Sequence, residues 1–173
     1  MEHTLTASAL LPLATLLSSF VVGLAIFLLR ERQVRLRTTL NLGAALVKLA
    51  CVAAMLWGVA HGAQFELRLP MLPGNDLLLR ADPLALLFVT LSAGLWLLTT
   101  VYAIGYLEGS PHRSRFFGFF SLCVTATVGI AMAGNLVTFF LFYELLTLAT
   151  YPLVVHRGTP QAIHSFRIPF VQH

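Results

Sequence analysis

Five apolar stretches, each long enough to cross a bilayer, constrain this chain more than any other feature. They run from about Ser8 to Leu29, Leu40 to Ala60, Pro83 to Leu107, Phe116 to Ala133 and Leu136 to Val155. A hydrocarbon core about 30 Å thick takes roughly 17–25 helical residues to cross. The backbone of a lipid-exposed segment must satisfy its own hydrogen bonds there, so each stretch is read as a helix. The chain is 58% hydrophobic and only 10% charged, against about 25% charged residues in soluble domains. The expected fold is all-α: a polytopic transmembrane bundle of about five spans. The first stretch is not read as a signal peptide, because Glu2 and His3 precede it in place of a basic region. Its apolar run also exceeds the roughly 7–15 residues of such peptides.

The loops give direction. Arg30, Arg32, Arg35 and Arg37 follow the first span, Arg113 and Arg115 the third, and Arg157 and Arg167 the fifth. The opposite side receives Arg68 and Arg80 among Glu66, Asp76 and Asp82. The positive-inside rule then places the N-terminus outside and the C-terminus in the cytoplasm. The chain is expected in the inner (plasma) membrane, with the lipid bilayer as a partner. Its basic residues flank the spans, so the net charge of +4 is read as headgroup attraction and not as a nucleic-acid surface.

The second connection has a different pattern. Phe65, Leu67 and Leu69 alternate with Glu66 and Arg68, and Pro73-Gly74-Asn75-Asp76 follows as a turn signal. A small external β-hairpin over about residues 63–80 is one reading; an irregular loop on the headgroups is the other. Asp82 is a cap candidate for the third helix, with Pro83 in its first turn. Gly134-Asn135 alone joins the last two spans, which makes them antiparallel neighbours. Gly134 suits a left-handed helix stop and Asn135 a helix cap. Gly129 and Ala133, with Gly23, Gly43 and Ala44, are candidates for close helix approach.

Two charges lie well inside spans, Lys48 and Glu144. A charge at such depth is costly unless it faces protein, a partner or a water path. Counted from the span ends at about 1.5 Å per residue, both lie at similar depth. An ion pair between them is one possibility, and a lysine snorkelling to the headgroups is another. Glu144 is the leading candidate for a buried proton-pathway carboxylate, balanced between desolvation and nearby charge. A fixed polar contact between helices is the competing reading. Tyr143 and Thr147, with Thr150 and Tyr151, are candidate polar neighbours, and Pro152 loosens the inner end of that helix. His156 is a weaker relay candidate, read equally as a solvated interfacial histidine.

Cys51 and Cys123 lie within spans without ligand spacing, so no metal site or disulfide framework is suggested. Nucleotide loops, dinucleotide fingerprints, HExxH and iron–sulfur patterns are missing. No cofactor, metal or catalytic centre is expected in the chain itself.

ADPLALLFVTLSAGLWLLTTVYAIGYLEG, RFFGFFSL and AGNLVTFFLFYELLTLATYPLV together resemble the N-terminal part of the antiporter-like subunit family. That family includes the large proton-translocating membrane subunits of complex I and the A and D subunits of multisubunit Na⁺/H⁺ antiporters. The resemblance covers roughly Ala81 to Ala162; Tyr102 to Tyr106 and the Tyr143-Glu144 pair carry most of it. It implies three regions: two helices and an external hairpin over 1–80, a complex I chain 5 N-terminal-type region over 81–162, and an atypical tail over 163–173. It also implies that Glu144 is a proton-pathway residue paired with a lysine on a later helix. Lys48 does not match that lysine. The tail departs from the family pattern, which suggests a truncated or short membrane subunit.

The leading expectation is a subunit of a proton- or cation-translocating complex, NADH:quinone oxidoreductase-like or Na⁺/H⁺ antiporter-like. Its partners would be other integral membrane subunits, H⁺ and Na⁺. The alternatives are a non-translocating scaffold or accessory subunit, and a non-functional gene fragment.

Overall fold

The computed structural model describes residues 2–29, 33–106 and 113–154. They form α1 (Glu2–Leu28), α2 (Val34–Ala60), β1 (Phe65–Leu72), β2 (Asn75–Ala81), α3 (Pro83–Tyr106), α4 (Arg113–Ala131) and α5 (Leu136–Val154). Five helices, each with a stretch long and apolar enough to span a membrane, match the five expected. His156 and the 163–173 tail lie outside the described residues, as do Arg30 and Arg32.

Two helices begin more than a turn earlier than expected. α1 starts at Glu2, and α2 at Val34, so Arg35 and Arg37 are helical and not part of the connection. Arginine is a good helix former, and Arg37 has a place inside the bundle. It is 2% exposed, donates to Ser114 Oγ at 2.9 Å and lies over the Phe117 ring.

α1 packs on α2 and α4, and α3 also packs on α2 and α4, which closes a four-helix ring. α5 stands outside this ring, packed chiefly on α4. Between helices in lipid, close packing and polar contacts replace the hydrophobic drive. Accordingly Gly23 of α1 faces Gly118 and Ser121 of α4, and Gly129 of α4 sits beneath the Phe142 ring of α5. Gly43, expected to serve the same purpose, meets nothing and faces outward.

The hairpin reading holds. β1 and β2 pair antiparallel from Phe65↔Ala81 to Leu72↔Asn75, turning through Pro73 and Gly74, whose φ of +89° needs glycine. α2 ends differently from anything expected. Gly62 at φ +83° lets Ala63 N–H reach Gly58 O and Gly62 N–H reach Val59 O, the Schellman pattern. Asp82 caps α3 as expected, accepting from Ala85 N–H at 2.7 Å.

Phe65, Leu67, Leu79 and Ala81 face one side of the hairpin and close one end of the bundle. They pack with Val52, Met55, Leu86, Val89, Val128, Met132 and Phe142. The free edge of β2 is tied to the α4–α5 turn: Arg80 N–H donates to Met132 O and Gly134 N–H to Leu78 O. Such cover protects a strand edge from stray pairing. Asn135 caps α5 through Thr138 N–H at 2.8 Å. Gly134 does not adopt the expected left-handed conformation. Its requirement is steric, because a Cβ there would lie 2.6 Å from Leu78 Cγ.

Candidate functional site

The two charges inside the spans occupy opposite settings. Lys48 is fully buried within the ring. Its Nζ donates to Ser19 Oγ of α1 at 2.6 Å and lies 4.8 Å from the Trp96 ring centre of α3. Thr125 of α4 donates to the same Ser19 Oγ at 2.8 Å, and Thr125 Oγ1 also lies 3.0 Å from Ser121 O. The lysine therefore neither snorkels to an end nor pairs with Glu144. Its side chain reaches sideways into a hydroxyl cluster, where an aromatic face and a short hydrogen bond replace part of its hydration.

Glu144 lies on the exposed side of α5, which corrects the expectation of a carboxylate buried within this chain. The reason is topological. α5 is the helix outside the ring, so only its α4-facing stripe is covered: Thr138, Phe142 and Ala149 are buried. Glu144 follows Phe142 by two positions and points away from that stripe. Tyr143 is also exposed and stacks on Phe139. Thr147 is exposed, and its hydroxyl folds back onto Tyr143 O at 3.0 Å. Glu144, Tyr143 and Thr147 thus share the uncovered side of one helix, together with Phe140, Leu148 and Tyr151. Among the described residues the structure brings no basic group to Glu144.

A polar ladder inside the ring went unnoticed in the sequence. Arg37 meets Ser114, Asn41 accepts a 3.4 Å bond from Ser121, and Lys48 meets Ser19 and Thr125. The signal was present: Arg37, Asn41 and Lys48 stand at i, i+4 and i+11 on α2, and Ser114, Ser121 and Thr125 at i, i+7 and i+11 on α4. Both spacings keep to one face of a helix.

Asp76, Asp82 and Glu144 are exposed, whereas Glu66 is partly buried and lies in the hairpin. It bonds Arg68 Nε at 2.7 Å and Arg80 Nη2 at 3.2 Å. The Arg68 bond above all holds its carboxyl below the ordinary range; slight burial opposes this and Arg80 assists. Described residues contain no cluster of three metal-ligating side chains. Cys51 and Cys123 are free thiols.

The family described as NADH-Ubiquinone oxidoreductase (complex I), chain 5 N-terminus matches residues 75–117. The NAD(P)H-quinone oxidoreductase subunit 5 of Zygnema circumcarinatum chloroplasts is 26% identical over 171 residues, covering 94% of this chain and 24% of that protein. The Na(+)/H(+) antiporter subunit A1 of Staphylococcus haemolyticus is 32% identical over 81 residues, covering 47% of this chain and 10% of that one. A chain in the structure of the membrane-bound sulfane sulfur reductase, an archaeal respiratory membrane complex, superposes with a TM-score of 0.70. It is 20% identical and covers 81% of this chain and 22% of that chain, so it speaks for the fold alone. The chain spans about a quarter or less of the length of these relatives. Five membrane-length helices and this homology support a multi-pass inner-membrane location. Homology to quinone oxidoreductase subunits and to a Na⁺/H⁺ antiporter subunit supports the antiporter-like, complex-I-like family of membrane subunits for this chain.

Proposed function

We propose that the chain serves a proton- or cation-translocating membrane complex, with Glu144 as a carboxylate that gains and loses a proton along the path. The observation that carries this reading is where Glu144 sits. It is an exposed acid on α5 with Phe140, Tyr143 and Leu148 also exposed on that helix. A charge at the centre of a lipid-facing helix costs about 2.5–3.5 kcal/mol on insertion scales. Protein or a water path must therefore cover that side of α5, and other integral membrane subunits are the cover this reading assigns. Tyr143 and Thr147 line the same side, while His156 remains a weaker relay candidate. In this reading residues 81–162 hold the translocation-related helices, and the arginine-bearing end of the bundle faces the cytoplasm.

Glu144→Gln in the assembled complex tests the proposal. Strongly reduced H⁺ or Na⁺/H⁺ transport with assembly intact is expected. Unchanged transport overturns it. Loss of assembly alone favours the scaffold reading, which rests on the same uncovered side of α5.

A further inference from the structure

The chain leaves α2 and enters α3 through the base of the hairpin, and a pocket opens between these two crossings. Its volume is about 450 Å³, within the range of small-ligand sites. The local sequence shapes it. A Cβ on Gly58 would lie 2.5 Å from Phe65 Cζ, so the glycine lets that ring close against the end of α2. Gly62 ends the helix at φ +83°, and Asp82-Pro83 opens α3 on the other side. Val59, Phe65 and Pro83 give the pocket apolar walls; Glu66, Arg80 and Asp82 give it charge.

The charges are not all paired off. Glu66 is engaged on both oxygens: Arg68 Nε donates to Oε1 at 2.7 Å, and Arg80 Nε and Nη2 to Oε2 at 3.3 and 3.2 Å. Arg80 Nη1 has no partner among the described residues. Asp82 uses Oδ1 for the α3 cap, and its Oδ2 likewise has no partner among them. Two positions of extended chain separate Arg80 from Asp82, about 7 Å. The pocket thus offers donors to an anion and, a short reach away, an acceptor to a cation. With Arg68 and Glu66 included, these charges sum to zero. The carboxyl end of α2 adds partial negative charge.

The pocket also stands at a membrane boundary, at the ends of two spans. Trp57, largely exposed and stacked on His61 beside the end of α2, is placed as an interfacial aromatic. From Pro83 into the span, Leu84, Leu87 and Leu91 lie along one face of α3, all exposed. Acyl chains can lie on these leucines while a headgroup fills the pocket.

We propose that this pocket binds an aminophospholipid by its phosphoethanolamine zwitterion, with the phosphate on Arg80 and the ammonium on Asp82. A purely anionic headgroup finds a partner for its phosphate and leaves Asp82 facing it. A phosphocholine headgroup is neutral, but its methylated ammonium has no N–H to donate to the carboxylate. A bare cation meets the Arg80 guanidinium. The site is separate from Glu144 and goes beyond the function proposed above.

Competition among three lipids tests this. The full chain is reconstituted in vesicles of equal parts phosphatidylethanolamine, phosphatidylcholine and phosphatidylglycerol, extracted, and weighed with its retained lipid by native mass spectrometry. Phosphatidylethanolamine is expected to be retained about tenfold over either of the others, the worth of one charge-assisted hydrogen bond. Asp82→Asn keeps a capping side chain and removes the charge; it should abolish the preference over phosphatidylglycerol while the helical spectrum is unchanged. Arg80→Gln should lower phosphatidylethanolamine retention, and Asp76→Asn, at the far end of the hairpin, should leave it intact. Equal retention of all three lipids by wild type would overturn the proposal, as would an undiminished preference in Asp82→Asn. Displacement of the lipid by equimolar soluble glycerophosphoethanolamine would overturn the assignment to a membrane lipid. Glu144→Gln should retain the preference, so failure here and failure at Glu144 are distinguishable.

Discussion

Replacing Gly129 with alanine probes the contact that seats α5, the helix carrying Glu144. A Cβ at position 129 would fall on the Phe142 ring, and that ring is 5% exposed within the main core. Overpacking of this kind costs about 1–3 kcal/mol, whereas alanine in place of glycine inside a helix gains about 0.8–1 kcal/mol. The net loss of about 0–2 kcal/mol is too near zero to be decisive alone. The coupling between the two positions is decisive. With Phe142→Ala in place the obstruction is gone, and Gly129→Ala should then stabilise by up to about 1 kcal/mol. The double-mutant cycle is expected to give a coupling of about 1–3 kcal/mol, or between about five- and 150-fold in the unfolding constant. The assay is reversible unfolding of the full chain in mixed micelles titrated with SDS, for wild type, both single variants and the double variant. A coupling below about 0.5 kcal/mol, the additivity of distant sites, would refute this seating of α5.

Asn135→Ala removes both the α5 cap and the bond from Nδ2 to Asp76 O. A loss of about 0.5–2 kcal/mol is expected from the cap, with faster hydrogen exchange at Gly134. Asn135→Asp keeps the cap and should lose less. Thr147→Ala removes only a hydroxyl bonded to its own helix, so the same unfolding assay should move by no more than about 0.5 kcal/mol. Glu66 is held below its ordinary carboxylate value, so its ion pairs contribute fully above that value. They are lost as pH falls through the lowered one. An NMR titration of its side-chain carboxyl should show that lowered midpoint in wild type, with a return toward the ordinary value in Arg68→Ala.

Most of the scaffold was legible because its signals are local. Apolar length marks each span, Asp82-Pro83 and Asn135 mark helix starts, and the alternation around Glu66 marks a strand. What was missed depends on who packs against whom. Lys48 and Glu144 look alike in one dimension, each a charge in an apolar run. Only the ring closed by α1, α2, α3 and α4 separates a lysine on the inside from a glutamate on the outside. Similar depth along the membrane suggests a pair, but depth says nothing of azimuth. The start of α2 was misplaced for a related reason. Arg35 and Arg37 read as a loop by charge, yet Arg37 finds Ser114 and Phe117 inside the bundle. The polar ladder was within reach, since its residues repeat at helical spacing on α2 and α4.

The central claim is that Glu144 changes protonation while the complex works. Infrared difference spectroscopy of the assembled complex, resting against turning over, measures this most directly. The account predicts a protonated-carboxyl band that appears or disappears with turnover and is absent from Glu144→Gln. A difference spectrum identical in wild type and Glu144→Gln, with transport proceeding in both, would contradict it.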